Sequence, residues 1–220
     1  MARLAFYDLD GTLVSSNVVT QYAYFVRNHP DRFFSAWKTA KLIASVPLLI
    51  GLDLYSRRMF NELFYREYRG MRREWLEGNA QGLFDRVIRP AIYAGAAPLV
   101  QGDRAAGFET VLVTGSLEFC LAPVTRHFGF DHVICNVMEF ANGEATGRIA
   151  PPLVAEREKV AAIKRLVAER RADAAECKAY SDSMSDLPML ECVGRPAAVN
   201  PVRRLRRIAL ERRWPVLDLK

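Results

Sequence analysis

The chain has 220 residues, half of them hydrophobic and a quarter charged, a composition that supports a packed core and excludes disordered, collagen-like and coiled-coil chains. Its formal net charge of +6 suits an anionic partner such as nucleic acid, a membrane surface or a phosphorylated small molecule. That charge is unevenly placed: residues 15–90 and 203–220 each carry +5 and the remainder carries −4, so two basic blocks accompany a mildly acidic body.

Leu4–Asp8 is a short apolar run halted at Gly11, as expected of a strand buried on both faces of a parallel sheet. The run meets Asp8 and Asp10 too soon to be a secretory leader. Residues 15–90 then abandon strand patterning. They are aromatic and arginine-rich, with Met59, Leu63 and Phe64 at helical spacing, and read as a helical insertion jointed near Val14–Ser16 and Arg89–Gly95. Its most apolar stretch, Leu42–Leu54, has thirteen residues, fewer than the roughly twenty that span a bilayer, which predicts a buried or groove-lining helix. Tyr22, Tyr24, Phe25, Phe33, Phe34 and Trp37 are expected mostly in the core.

Beyond residue 95, helix-like stretches at Ala96–Ala106, Glu118–His127, Glu158–Arg170 and Val202–Arg213 alternate with strand-like runs at Thr110–Thr114, His132–Cys135, Lys178–Asp182 and Ala197–Val199. This alternation predicts right-handed crossovers and an α/β fold with a doubly wound parallel sheet. Val137–Ile149, with Asn142-Gly143 at its centre, predicts a hairpin with a type I′ turn, projecting as a small flap. The last helix can turn Leu205, Ile208, Ala209 and Leu210 to the sheet and its arginines to water. Cys120, Cys135, Cys177 and Cys192 lack a C-x-x-C spacing and suit reduced thiols in a reducing compartment.

Asp8 and Asp10 sit two residues apart where the first strand ends, and a period of two can aim both carboxylates the same way. Thr114-Gly115-Ser116 ends the second run with hydroxyls and amides able to hold an anionic oxygen; an N-cap by Ser116 is the simpler use. Lys159 stands near a helix start, and Asp182 and Asp186 follow a further strand. Each feature alone also suits a turn, a cap or a solvated charge. Their order, each at a strand's carboxyl end or on the following helix, points to one shared site.

These residues resemble the four motifs of the haloacid dehalogenase superfamily: DLDGT at 8–12, VLVTGS at 111–116, Lys159, and YSDSMSDLPML at 180–190. The tail from Pro196 to Leu217 is similar to the subfamily that includes phosphoserine phosphatase. The resemblance implies a Rossmannoid catalytic core of residues 1–14 and 91–220, with residues 15–90 as a helical type 1 cap inserted after the first strand. It further implies Mg²⁺-dependent hydrolysis of a small-molecule phosphomonoester through a phosphoaspartate. Asp8 would be the nucleophile and Asp10 the general acid and base. Thr114, Gly115 and Lys159 would hold the phosphoryl oxygens. Mg²⁺ would be held by Asp8, the Asp10 backbone carbonyl and Asp182, with Asp186 in support.

Departures from the subfamily bear on the substrate. Asn17 stands where phosphoserine phosphatases commonly have a glutamate for the substrate amino group, and Ser183 and Ser185 replace a frequent glycine and asparagine. Asn17 speaks against phosphoserine itself, while Ser183 and Ser185 bear on the hydrogen bonds around the phosphate; the candidate esters are phosphoserine-like compounds, histidinol phosphate and other amino-alcohol phosphates. Besides Asn17, the expected cap contacts are Arg66 and Arg69, which share helical spacing with Arg73, within a basic block that also holds Arg57, Arg58 and Arg72. The expected partner is a phosphate ester, with no nucleic acid and no membrane association, for a cytoplasmic monomer or homodimer. Two rivals accompany this reading. A lipid-phosphate phosphatase or phosphotransferase at a membrane is motivated by Leu42–Leu54 and the basic cap. A non-catalytic binding protein is motivated by Ser183, Ser185 and the arginine-rich tail.

Overall fold

A computed structural model describes residues 2–220, except the side chains of residues 53 and 54. Strands β1 (Leu4–Tyr7), β2 (Glu109–Leu117), β3 (His132–Asn136), β6 (Lys178–Ser181), β7 (Arg195–Val199) and β8 (Val216–Leu217) form one sheet, and β4 (Met138–Ala141) and β5 (Glu144–Ile149) a separate hairpin. The sheet order is β3-β2-β1-β6-β7-β8 with every pairing parallel. All four residues of β1 are buried, and they alternate between two apolar layers. Ala5 and Tyr7 pack with α6 (Ala96–Ala105) and α7 (Glu118–Phe128). Leu4 and Phe6 pack with α8 (Glu156–Glu169), α9 (Leu187–Glu191) and α10 (Arg203–Glu211). Helices on both faces are what the alternating sequence demanded, and they put the carboxyl ends of the central strands at one edge of the molecule.

Between β1 and β2 lie α1 (Val18–Arg27), α2 (Arg32–Tyr55), α3 (Arg57–Phe64), α4 (Arg73–Gly78) and α5 (Ala80–Leu83), with a tighter turn at Tyr65–Tyr68 between α3 and α4 and wider and tighter turns at Phe84–Ile88 and Arg89–Ala91 after α5. Tyr22, Phe25, Phe64 and Tyr68 form a knot of aromatic rings that reaches Phe119 of α7. Edge-on ring contacts of this kind add to the stabilisation from burial alone. The helical segment therefore shares one apolar layer with the sheet.

Four local expectations are corrected. Helix α2 starts ten residues earlier than the apolar run suggested, because Asp31 caps it by accepting from the Phe33 and Phe34 amides. It continues through Pro47 for 24 residues. Among the described residues, Arg32–Leu52 is long and apolar enough by length and composition to cross a membrane, and little of it is buried. Its apolar residues surround the helix, so one stripe containing Leu42, Leu49 and Leu52 packs inward while Trp37, Ile43, Leu48 and Ile50 face out. Phe33, expected inside, is 90% exposed, whereas Tyr22, Tyr24 and Phe25 are buried.

The hairpin has the expected turn, with Asn142 and Gly143 both at positive φ. It is docked, however, and does not project freely: Gly70 donates to the Ala145 carbonyl, Ala145 to that of Met71, and Arg73 to that of Gly143. Strand β2 runs on through Leu117 with an irregular register after Val113, so Thr114–Ser116 lie within the strand. Finally, Arg66, Arg69 and Arg73 do not share a helix, because a turn at Tyr65–Tyr68 and Gly70 at φ +84° separate Arg66 from α4.

Candidate active site

Strand β1 delivers Asp8 to the carboxyl edge, where it is 6% exposed. Its amide donates to the Tyr180 carbonyl at 3.0 Å, tying the loop after β1 to β6. The chain then turns sharply at Gly11, φ +89°, where a Cβ would lie 2.3 Å from Asp182 Oδ2. Glycine is required there both by the dihedral and by the carboxylate that fills the space.

Lys159, carried by α8 and 5% exposed, donates to Asp8 Oδ1 at 2.7 Å and to Asp186 Oδ2 at 3.0 Å. Ser181 donates to the same Asp186 oxygen at 2.8 Å. Thr12 donates to Asp182 Oδ1 at 3.1 Å, its hydroxyl oxygen accepts from the Asp182 amide at 3.1 Å, and it stands 3.4 Å from Asp8 Oδ2. Burial works against the Lys159 charge, but Asp186 and Asp8 outweigh it and raise its pKa above the ordinary lysine value. Burial likewise pushes the Asp8 carboxyl up, and Lys159 works against that push. The contact distances favour an ammonium between two carboxylates.

Asp10 is held from two other elements: Gln21 of α1 donates to Oδ1 at 3.2 Å, and Ser116 of β2 donates to Oδ2 at 3.1 Å. Burial first, and the Asp8 charge second, push its pKa up to about 7. Asp182 is pushed up to about 7 by burial, with Asp8 and Asp186 adding to it. Four carboxylates thus face one buried lysine, and the crowding favours a further cation.

The donor set suits a hard divalent ion. Among the described residues no three His, Cys, Asp or Glu side chains form a ready-made cage. Asp8 and Asp182, which share Thr12 as a hydrogen-bond neighbour, offer the hard oxygen donors that an ion keeping several waters, such as Mg²⁺, takes.

Opposite the carboxylates, the Gly115 carbonyl accepts from Asn136 Nδ2 at 2.7 Å and from the Tyr65 hydroxyl. The Thr114 hydroxyl is buried and accepts from the Ser116 amide at 3.0 Å. Ser116 is not a helix cap, since Leu117 takes that position without a side-chain bond. A small, partly open cavity of about 30 Å³ is lined by Asp8, Asp10, Gly115, Lys159 and Asp186, together with Arg57 and Asn61 from α3.

The structure brings Asp8, Asp10, Gly115, Lys159 and Asp186 around this cavity, with Asp182 beside them through Thr12. It does not bring Arg66 or Arg69 there, and Asn17 lines the neighbouring groove that Arg57 also bounds. Asn17 caps α1, accepting from the Val19 and Thr20 amides at 3.0 Å. Arg66 lines a different groove with Arg148, and Arg69 is exposed. The arginine at the cavity is Arg57. Sequence reasoning missed Gln21, Tyr65, Asn136 and Asn61. The spacing of Arg57, Asn61 and Tyr65, one helical turn apart, was the available signal for one face.

The model of the family described as haloacid dehalogenase-like hydrolase matches residues 5–191. The chain is 42% identical over 140 residues to the "Inhibition of morphological differentiation protein" of Streptomyces azureus, covering 63% of this chain and 50% of that one. It is 29% identical over 237 residues to a histidinol-phosphatase of Neisseria meningitidis serogroup C (strain 8013), covering all of both chains. Among solved structures, a protein of unknown function from Bordetella pertussis Tohama I superposes with a TM-score of 0.86 at 30% identity, covering all of both chains. The chain spans about half the length of several curated relatives that it matches.

Proposed function

The chain belongs to the haloacid dehalogenase-like hydrolase family, and from that premise we propose that it is a phosphatase, hydrolysing a small-molecule phosphomonoester with Asp8 as nucleophile. The observation that carries the reading is the buried Asp8 carboxylate with one oxygen fixed by Lys159 and a second carboxyl, Asp10, held separately by Gln21 and Ser116. A binding protein has no use for two carboxyls so differently set.

Asp8 Oδ1 is taken by Lys159 at 2.7 Å, and Oδ2 is only distantly contacted by Thr12, which makes Oδ2 the attacking atom. Its lone pair forms the bond to phosphorus as the ester P–O bond breaks, and Asp10 gives its proton to the departing oxygen. With a pKa near 7, Asp10 can carry that proton at neutral pH. Its carboxylate then takes a proton from the water that attacks phosphorus, and the Asp8–phosphorus bond breaks to release phosphate. Lys159 and the backbone around Gly115 supply positive charge and donors to the phosphoryl oxygens. Mg²⁺, held by Asp8, Asp182 and the Asp10 carbonyl, would offset repulsion between nucleophile and phosphate.

In this reading residues 1–14 and 91–220 are the catalytic core and 15–90 the cap, and the chain works in the cytoplasm, a location that its four free thiols support. The name of the Neisseria relative makes histidinol phosphate one candidate ester. The test is phosphate release from p-nitrophenyl phosphate and acetyl phosphate with Mg²⁺ present. Asp8→Asn should lower it by a factor on the order of 10⁴ or more. No release from a broad ester panel by the Mg²⁺-loaded protein would overturn the reading.

A further inference from the structure

One buried polar group at the site is left unused by this chemistry. Asn61 is 1% exposed, and neither atom of its amide has a hydrogen-bond partner among the described residues. Burying an amide unsatisfied is costly, so such groups are retained where something else bonds to them. Asn61 lines the cavity that holds Asp8 and Asp10, and its Nδ2 is 3.3 Å from where a Cβ on Gly115 would lie.

Arg57, one turn earlier on α3, bounds two spaces. On one side is the cavity with Asp8 and Asn61. On the other is an open, mostly apolar groove of about 280 Å³ walled by Val18 and Val19 of α1, Val46, Leu49 and Ile50 of α2, and Phe60 of α3, with Asn17 and Thr20 at its α1 end. The Arg57 guanidinium lies 5.3 Å from the centre of the Phe60 ring, so it marks the boundary between polar cavity and apolar groove. Outward from the reacting carboxylate the lining therefore changes from anion to amide, to guanidinium, to hydrocarbon.

An amino-alcohol phosphate would need an anion for its ammonium group. Among the described residues no acidic side chain lines the groove. Glu156, which lines the cavity, accepts from Ser56 Oγ at 3.3 Å and from the Arg58 amide at 3.4 Å, both on Oε1, and it belongs to the rim of the cavity and not to the groove. Asn17, where the resemblance put amino-group recognition, is occupied in capping.

Resting on the phosphatase reading, we propose that the substrate is an amphiphilic phosphomonoester: a hydroxyl or similar polar group close to the phosphate bonds to the Asn61 amide, and an apolar chain beyond it lies in the groove past Arg57. The exposed apolar wall of α2 is then the outer bank of the substrate groove. Val46 and Ile50, 39% and 57% exposed, are the side chains that a bound chain would cover.

The test compares kcat/KM for ethyl, butyl, hexyl and octyl phosphate with phosphoserine, histidinol phosphate and acetyl phosphate. The expected result is a rise of roughly threefold per added methylene, with octyl phosphate above both amino-alcohol esters. Ile50→Asp should lower the octyl-to-ethyl ratio at least roughly tenfold, since it puts a charge in the path of the chain. Asn61→Leu, nearly isosteric, should erase any preference for octyl glycerol phosphate over octyl phosphate, a ratio that a merely structural role would not move. A flat chain-length series, or phosphoserine or histidinol phosphate above octyl phosphate, with acetyl phosphate hydrolysed normally, overturns the proposal and leaves the phosphatase reading standing. Failure to release phosphate from any ester, acetyl phosphate included, overturns both.

Discussion

The carboxyl edge of the sheet and the helical segment above it are held by different physics. At the edge, Lys159 bridges Asp8 and Asp186, Ser181 supports Asp186, and Asp10 has donors from two elements. In the helical segment, stability comes from rings packed on one side of α1 and α3, while α2 leaves Trp37, Ile43 and Leu48 in solvent. The contrast separates two tasks. Chemistry needs charges fixed to fractions of an ångström, which burial and paired hydrogen bonds provide. Choosing a leaving group needs only a shaped face, which can be assembled from ordinary helical residues such as Arg57, Asn61 and Phe60.

The sharpest way to break this contrast is at Lys159. Lys159→Met strands two buried carboxylates, and the expected cost is about 3–5 kcal/mol of unfolding free energy in urea titrations, with phosphate release lost by a factor on the order of 10³. A cost below about 1 kcal/mol would mean that the edge is solvated and no more tightly built than the helices above it.

Asp10→Asn tests the same edge with a smaller effect on folding and the opposite sign. Turnover should fall by a factor on the order of 10²–10⁴. Stability should change with pH as follows. An acid raised from its ordinary 3.8 to about 7 in the folded protein keeps a proton that the unfolded chain has lost. Folding therefore weakens as pH rises through that interval and is unaffected by this group below it. Metal-free protein should lose on the order of 5 °C in Tm between pH 5 and pH 8. Asp10→Asn should remove part of that slope, and Mg²⁺ should remove part of it as well by pairing the carboxylates. A Tm that rises over this interval would contradict the crowding of Asp8, Asp10 and Asp182.

The same division decides what the sequence made legible. Asp8, Asp10, Lys159, Asp182 and Asp186 could be picked out because each falls at a strand end or on the next helix, and a parallel sheet gathers those places at one edge. The parallel sheet and both helical layers followed from that alternation. Gln21, Asn136 and Asn61 are single polar residues inside ordinary helix or strand patterns, and their approach to Asp10, Gly115 and the cavity depends on how elements far apart in sequence cross. Arg66 and Arg69 looked equivalent to Arg57 by charge and density. Only the break at Gly70 and the packing of α3 against the edge distinguish them. In α2, the apolar run predicted a buried or groove-lining helix; residues spread around a helix can bury only one stripe, and Val46, Leu49 and Ile50 line the groove beside Arg57.

Removing the Tyr65 hydroxyl probes where the two regions meet. Tyr65 and Asn136 both donate to the Gly115 carbonyl. Tyr65→Phe leaves that acceptor satisfied by Asn136, so the expected loss is only about 1 kcal/mol. Any change in KM should exceed the change in kcat if the contact positions the α3 face over the site. Equal loss in both would place Tyr65 with the chemistry of the edge.

The smallest expected effect is on the outer face of α2. Trp37 and Ile43 are each 68% exposed, and neither lines the groove beside Arg57. Trp37→Gln with Ile43→Lys should therefore shift unfolding free energy by no more than about 0.5 kcal/mol. A Lys at 43 also keeps its stem along the apolar surface while its charge stays in water. Chemical denaturation and sedimentation velocity check this together. If stability falls by more than about 1 kcal/mol, or if the sedimentation coefficient drops, that face is covered in solution. In that event the helical segment would match the carboxyl edge in being held on all sides, and the contrast between the two would narrow to which groups do the holding.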